Sequence, residues 1–211
     1  MAQVRAVLFD YGNVLCAPQL ESDLEAMAQV CNIDLSHFKT LYWQRRDEYD
    51  LGLIDGPGYW HKIAEKSGIS LSPLSVAKAI ELDNASWSRP NSTMANWAAD
   101  LRKNGIITAI ISNMPIEIRK YLDSCKWMPQ FDQYTYSCDI NFVKPGAEIY
   151  LHCLKQISLD ASQTLFLDDR PMNVDAASDL GISSLVFTSI EKLQADLGQF
   201  RLPPIALDVV V

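Results

Sequence analysis

The 211-residue sequence has no CxxC pair, no clustered cysteine framework and no apolar run long enough to span a bilayer. Five cysteines, an odd number scattered at 16, 31, 125, 138 and 153, argue against a disulfide framework and read as buried free thiols of a reducing compartment. Basic residues are in deficit, 18 against 26 acidic, so the net charge of −8 repels nucleic acid and anionic membrane surfaces. A small anion held at a local positive site stays possible. The N-terminal apolar stretch Ala6 to Phe9 meets Asp10 before it could form a signal-peptide core, and the C-terminal stretch Ile205 to Val211 is short and carries Asp208. The expectation is a cytoplasmic protein with no nucleic-acid or membrane partner. Histidine is scarce: His37, His61 and His152 fall in no motif and read as surface or packing residues.

What is present is a rhythm. Val4 to Phe9, Ile106 to Ile111, Thr164 to Leu167 and Ser184 to Phe187 are short runs rich in apolar and β-branched residues, read as buried strands of a parallel sheet, with Gln133 to Ser137 a weaker fifth. Helical patterns alternate with them. Met94, Trp97, Ala98 and Leu101 share a face closed by Gly105; Ile149, Cys153, Leu154 and Ile157 share another; Val174, Ala177 and Leu180 end at Gly181. Such alternation predicts an open α/β sheet, Rossmann-like, with helices on both faces.

Residues 17 to 88 break the rhythm with several helical patterns and no convincing strand. Leu20, Leu24, Met27 and Cys31 recur at helical spacing, and so do Phe38, Leu41, Tyr42, Arg45 and Tyr49, between a Ser36 cap and Gly52. Pro57 opens a third helix that ends near Gly68, and Ser72-Pro73 caps a fourth. The chain therefore divides into a core of residues 1–16 and 89–211 and a helical insertion, 17–88, sitting over the C-terminal edge of the sheet.

Four motifs fall at or near strand exits, where open α/β sheets bind ligands. Val7-Leu8-Phe9-Asp10-Tyr11-Gly12 delivers a carboxylate into a tight turn, and Ile110-Ile111-Ser112-Asn113 offers a hydroxyl and an amide before Pro115 opens a helix. Phe142-Val143-Lys144-Pro145 holds a lysine beside a proline read as an early helix position. Taken singly these are an ordinary turn-capping Asp, an N-cap and a surface charge. The fourth, Leu165-Phe166-Leu167-Asp168-Asp169, is harder to set aside, because adjacent carboxylates at a strand exit repel unless a cation or a proton relieves them.

Together and in this order the four motifs resemble the haloacid dehalogenase-like hydrolase superfamily over nearly the whole chain, most closely the helical-cap branch that includes bacterial sugar-1-phosphate phosphatases and the N-terminal phosphatase domain of soluble epoxide hydrolases. The resemblance implies a Mg2+-dependent phosphatase of a small phosphorylated metabolite, a sugar phosphate favoured. Asp10 resembles the nucleophile that becomes an aspartyl-phosphate, and Ser112 with Asn113 the phosphate-binding motif. Lys144 resembles the lysine that neutralises nucleophile and phosphate; Asp10, Asp169 and the Gly12 carbonyl the metal ligands; Asp168 and Asn173 their support.

One position departs from the pattern. The family's usual second Asp, acid to the leaving group and base toward water, is Gly12 here, and such help is worth ~10²–10⁴ in rate. Three readings follow: a phosphatase that is slower or acts on an easily departing group; a dehalogenase-type hydrolase, whose halide leaves unprotonated; and a non-catalytic binding or regulatory protein. The phosphatase reading ranks first, since the Asp168-Asp169 pair makes sense with a metal. Substrate choice would fall to the insertion. Its candidate lining is Tyr42, Trp43, Arg45, Arg46, Tyr49, Tyr59, Trp60 and His61, of which Tyr42 and Tyr49 share the apolar stripe, leaving Trp43, Arg45, Arg46 and His61 open.

Overall fold

The computed structural model describes residues 3–206, so the C-terminal run from residue 207 onward, with Asp208, lies outside the described residues. The five apolar runs form strands β1 (Ala6–Phe9), β2 (Ile107–Ser112), β3 (Gln133–Tyr136), β4 (Thr164–Asp168) and β5 (Ser183–Val186). All pair in parallel, in the order β3-β2-β1-β4-β5. Because the order runs outward in both directions from β1, the topology switches beside it, and the crevice beyond the C-terminal ends of β1, β2 and β4 is the place for a ligand. Ser137, read as the end of the fifth strand, starts a helix instead.

Between β1 and β2 come helices α1 (Glu21–Cys31), α2 (Leu35–Gln44), α3 (Arg46–Asp50), α4 (Gly56–Lys66), α5 (Pro73–Ser86) and α6 (Ser92–Lys103). Helices α7 (Ile116–Leu122), α8 (Ser137–Ile140), α9 (Ala147–Ile157), α10 (Pro171–Asp179) and α11 (Ile190–Leu197) follow. The period-2 alternation of the strands sorts the core. Val7, Phe9, Leu165 and Leu167 pack with Trp97 of α6 and Leu193 of α11 on one face, while Ala6, Leu8 and Phe166 pack with Ile149 and Cys153 of α9 and Ala177 of α10 on the other. Gly105 and Gly181 take positive φ, +77° and +83°, just beyond α6 and α10, as their place after the apolar stripes predicts.

Helices α1 to α5 bury an apolar cluster of their own, with Met27, Cys31, Phe38, Tyr42, Tyr59, Trp60 and Val76 at its centre. Leu20 stands exposed before α1 and is not part of the stripe. The stripe read as one helix from Ser36 to Gly52 is two, α2 and α3, broken at Arg45 (φ −121°, ψ 12°). Asp34 caps α2, its carboxylate accepting from the Ser36 and His37 backbone N–H groups at 2.9 and 3.3 Å. Asp34→Ala should therefore cost about 1 kcal/mol in urea unfolding, whereas Ser36→Ala should stay within about 0.5 kcal/mol; the reverse order would reinstate Ser36 as the cap.

The two crossings between this helical segment and the sheet lie side by side. Ala17 N–H donates to the Arg89 carbonyl at 2.8 Å and Asn91 N–H to the Leu15 carbonyl at 2.9 Å, an antiparallel seam around Cys16 and Pro90. All five cysteines are free, but only Cys16, Cys31 and Cys153 are buried; Cys125 and Cys138 are half-buried. Among the described residues no helix is long and apolar enough to cross a membrane.

Candidate active site

The exits of β1, β2 and β4 and the loop between α8 and α9 bring the four motifs into one cavity of about 580 Å3, floored by Asp10, Gly12, Ser112, Asn113, Lys144, Asp169 and Asn173. Asp10 follows β1 directly; its N–H donates to the Leu167 carbonyl at 2.8 Å, and the Tyr11 N–H donates to its Oδ1 at 2.7 Å. Lys144 Nζ lies 2.8 Å from Asp10 Oδ1 and 2.6 Å from Asp168 Oδ2, with all three groups buried. Burial pushes the Asp10 carboxyl up to about 7, against the pull of Lys144, with Asp168 and Asp169 adding to the rise. Burial also works to strip the Lys144 proton, yet Asp10 and Asp168 hold its ammonium above the usual range.

The two adjacent carboxylates have different surroundings. Asp168, fully buried, accepts from the Arg170 N–H at 2.8 Å, from Asn173 Nδ2 at 2.9 Å and from Lys144, so both of its oxygens are occupied. Asp169 is half-buried and, among the described residues, its side chain accepts only from Asn13 Nδ2, at 2.7 Å on Oδ2. Oxygens of Asp10, Asp168 and Asp169 lie within 4.8 Å of one another. Three clustered carboxylates, two of them sharing one ammonium, crowd negative charge, and an all-oxygen donor set suits a hard divalent cation. Asn173 Oδ1, buried without a hydrogen-bond partner, adds an acceptor that a hydrated ion would satisfy.

Asn113 lines the cavity beside Ser112, and its side chain exchanges two hydrogen bonds with the Lys144 backbone, Nδ2–H donating to the Lys144 carbonyl at 2.9 Å and Oδ1 accepting from the Lys144 N–H at 2.8 Å, which fixes the lysine's position. Pro145 is not an early helix residue, since α9 starts only at Ala147, and Pro115 precedes α7 as its N-cap. Ser112, the last residue of β2, stands in the cavity wall.

From the helical segment the cavity receives Trp43, Arg46, Asp47, Asp50 and Trp87. Of the candidates read from sequence, Trp43 and Arg46 are among these. Arg45 turns away to pair with Glu48, His61 is exposed elsewhere, and Tyr42, Tyr49, Tyr59 and Trp60 are buried in the aromatic cluster. Arg46 is itself buried: its Nε donates to Asp50 Oδ1 at 2.9 Å, its Nη1 to Asp83 Oδ2 at 3.2 Å, and the guanidinium lies over the rings of Tyr42, Tyr49 and Tyr59. Burial raises the Asp50 carboxyl to about 6 despite Arg46. Asp47, Asp50, Trp87 and Arg170 escape a sequence reading. The i, i+4 spacing of Arg46 and Asp50 is the one sequence signal that would pair them.

A family model described as haloacid dehalogenase-like hydrolase matches residues 4–181. The sesquiterpene phosphatase astK of Aspergillus oryzae is 26% identical over 189 residues, covering 87% of this chain and 90% of that enzyme. Bifunctional epoxide hydrolase 2 of Sus scrofa is 29% identical over 130 residues, 59% of this chain but only 23% of that larger protein. A HAD family enzyme of Bacteroides thetaiotaomicron, solved in complex with magnesium and inorganic phosphate, superposes with a TM-score of 0.68 at 20% identity, covering 88% of this chain and 94% of its own. With a parallel sheet carrying an Asp at the exit of its central strand, a buried lysine against it and an acidic pair beside it, this chain belongs to the haloacid dehalogenase-like hydrolase family.

Proposed function

We propose that the protein is a Mg2+-dependent phosphatase that hydrolyses a small phosphorylated metabolite through an aspartyl-phosphate on Asp10, with residues 17–88 serving as a cap over a core of 1–16 and 89–211. The observation that carries the reading is the cluster of Asp10, Asp168 and Asp169, with Lys144 paired to the first two. A carboxylate nucleophile can approach a phosphoryl group only where the repulsion between two anions is cancelled. Mg2+, for which Asp10, Asp169 and the Gly12 carbonyl are the proposed ligands, would neutralise charge and polarise a phosphoryl oxygen. Lys144 supplies the fixed positive charge against Asp10, and Ser112 a hydroxyl for the remaining phosphoryl oxygens. Asp168, saturated by Lys144, Asn173 and the Arg170 N–H, orients the lysine.

The similar proteins support this reading, one named a phosphatase and another holding magnesium and phosphate. A dehalogenase-type nucleophile would leave the acidic trio without a purpose. Trp43 and Trp87, ring planes 86° apart with centroids 6.5 Å apart, border the cavity and offer faces to a sugar ring, which keeps sugar phosphates as the favoured class.

Hydrolysis of an aryl phosphate should require Mg2+, vanish with a chelator and return when metal is restored. Unchanged activity in chelator removes the mechanism, and tight phosphate binding without turnover points to a regulatory protein. Because Asp10 must lose its proton to hold the ion, apparent Mg2+ affinity should rise as pH rises through about 7. A calorimetric titration at pH 6 and pH 8 checks this, and a reversed trend would remove Asp10 from the ligand set.

A further inference from the structure

Breaking a phosphate ester requires a proton for the departing oxygen, and Gly12 has none to give. Of the other cavity residues, Lys144 is held between two carboxylates and Asp10 and Asp169 are committed to attack and metal. The Tyr11 hydroxyl donates to the Trp87 carbonyl, and an arginine does not release its proton. Two carboxyls on the cap side remain, Asp47 and Asp50. Asp47 is exposed, with no contact that fixes it over the floor of the site.

Asp50 is fixed from three directions. Its carbonyl accepts from Ser137 Oγ at 2.5 Å, and that same hydroxyl accepts from the Met114 N–H at 2.9 Å, two residues beyond Ser112. The next carbonyl, of Leu51, accepts from Asn141 Nδ2 at 2.7 Å, so the end of α3 is tied down against the exits of β2 and β3. Arg46 Nε holds Oδ1 at 2.9 Å, while Oδ2 takes no hydrogen bond from the described residues. A buried side chain with one oxygen anchored and the other free at the cavity is what a positioned acid needs. Arg46 and Asp47 on α3, Asp83 on α5, Tyr59 on α4 and Cys138 on α8 are the titratable or charged groups around it.

We propose that Asp50, carried on the cap, donates the leaving-group proton and then accepts the proton of the hydrolytic water, replacing the acid that is absent at Gly12. The proposal rests on the phosphatase reading above. As Asp10 Oδ attacks phosphorus and the bond from phosphorus to the ester oxygen breaks, that oxygen takes the Asp50 proton and departs as the alcohol. Water then enters from the same side, opposite Asp10. Its oxygen bonds to phosphorus, its proton passes to the Asp50 carboxylate, and the Asp10–phosphorus bond breaks to return the carboxylate and free phosphate. One carboxyl serves both steps because alcohol and water occupy the same apical position.

The test is kcat/KM for a series of phosphate monoesters, from 4-nitrophenyl to primary alkyl, in wild type and Asp50→Asn. Wild type should show a shallow dependence on leaving-group pKa. In Asp50→Asn, alkyl esters should fall by ~10²–10⁴ and the aryl ester far less, with a burst of nitrophenol as dephosphorylation becomes slow. Adding Gly12→Asp to Asp50→Asn should recover much of the alkyl activity, which a merely structural loss would not permit. Its added Cβ meets only the Trp87 ring edge, at 3.4 Å. Equal losses for all esters, or none, overturn the proposal. Should Asp50→Asn fail to fold, the wild-type ratio of alkyl to aryl kcat/KM against pH decides: it should fall above about 6, where Asp50 loses its proton, and a flat ratio refutes the assignment. Aryl hydrolysis that is absent in wild type, or indifferent to Mg2+, removes the phosphatase reading and this proposal with it.

Discussion

Asp10→Asn should lower aryl phosphatase turnover by on the order of 10⁴-fold or more, as expected when a nucleophile is removed, without lowering the thermal midpoint. An amide cannot form the acyl phosphate. Yet it fills the same space at the exit of β1, and Lys144 keeps its 2.6 Å contact with Asp168. The fold should even gain slightly, because one of three crowded carboxylates disappears. Acid quenching of a reaction with radiolabelled ester separates chemistry from binding. Wild type should trap label on the protein in an alkali-labile form, and the variant none. Label in the variant, or turnover within tenfold of wild type, would move the nucleophile elsewhere.

Lys144→Met should be the most destabilising single change in the site, by about 3–5 kcal/mol, because it leaves two buried carboxylates without their cation. Methionine matches the aliphatic stem, so lost packing is a small part of the effect. Added Mg2+ should recover part of the lost stability, since a cation that binds only the folded state stabilises it by mass action. Urea midpoints with and without Mg2+ measure both effects. A loss below about 1 kcal/mol would mean that the lysine holds nothing together.

Much of the sheet was legible because buried parallel strands are written as continuous apolar runs, and Val7 to Phe9 or Leu165 to Leu167 admit few other readings. The charged floor was legible for a related reason: an Asp directly after such a run must emerge at the strand's C-terminal end. The cap was harder. Phe38, Leu41, Tyr42, Arg45 and Tyr49 keep helical spacing straight through Arg45, so the pattern conceals the break, which depends on Arg46 turning inward to Asp50, Asp83 and three tyrosine rings. The aromatic residues of this segment look alike in sequence. Only the packing of five helices decides that Trp43 and Trp87 border the cavity while Tyr59 and Trp60 are enclosed. The Asn113 side chain could not be assigned from its own motif, since its partner is the backbone of Lys144, 31 positions away.

The seam at Leu15 to Ala17 and Arg89 to Asn91 gives the helical segment a single doorway. Both strands of the connection pass through it, hydrogen-bonded to each other, so whatever lies between 17 and 89 begins and ends at nearly the same point in space. Closing a loop from one point to itself costs only about 1.7 kcal/mol more for roughly 70 residues than for about 10, because the entropy grows only with the logarithm of length. The core therefore places little demand on what the doorway carries: the segment can be exchanged, enlarged or shrunk without moving the strand exits below, and under the proposed function substrate choice would change with it while Asp10, Lys144 and Asp169 keep their places.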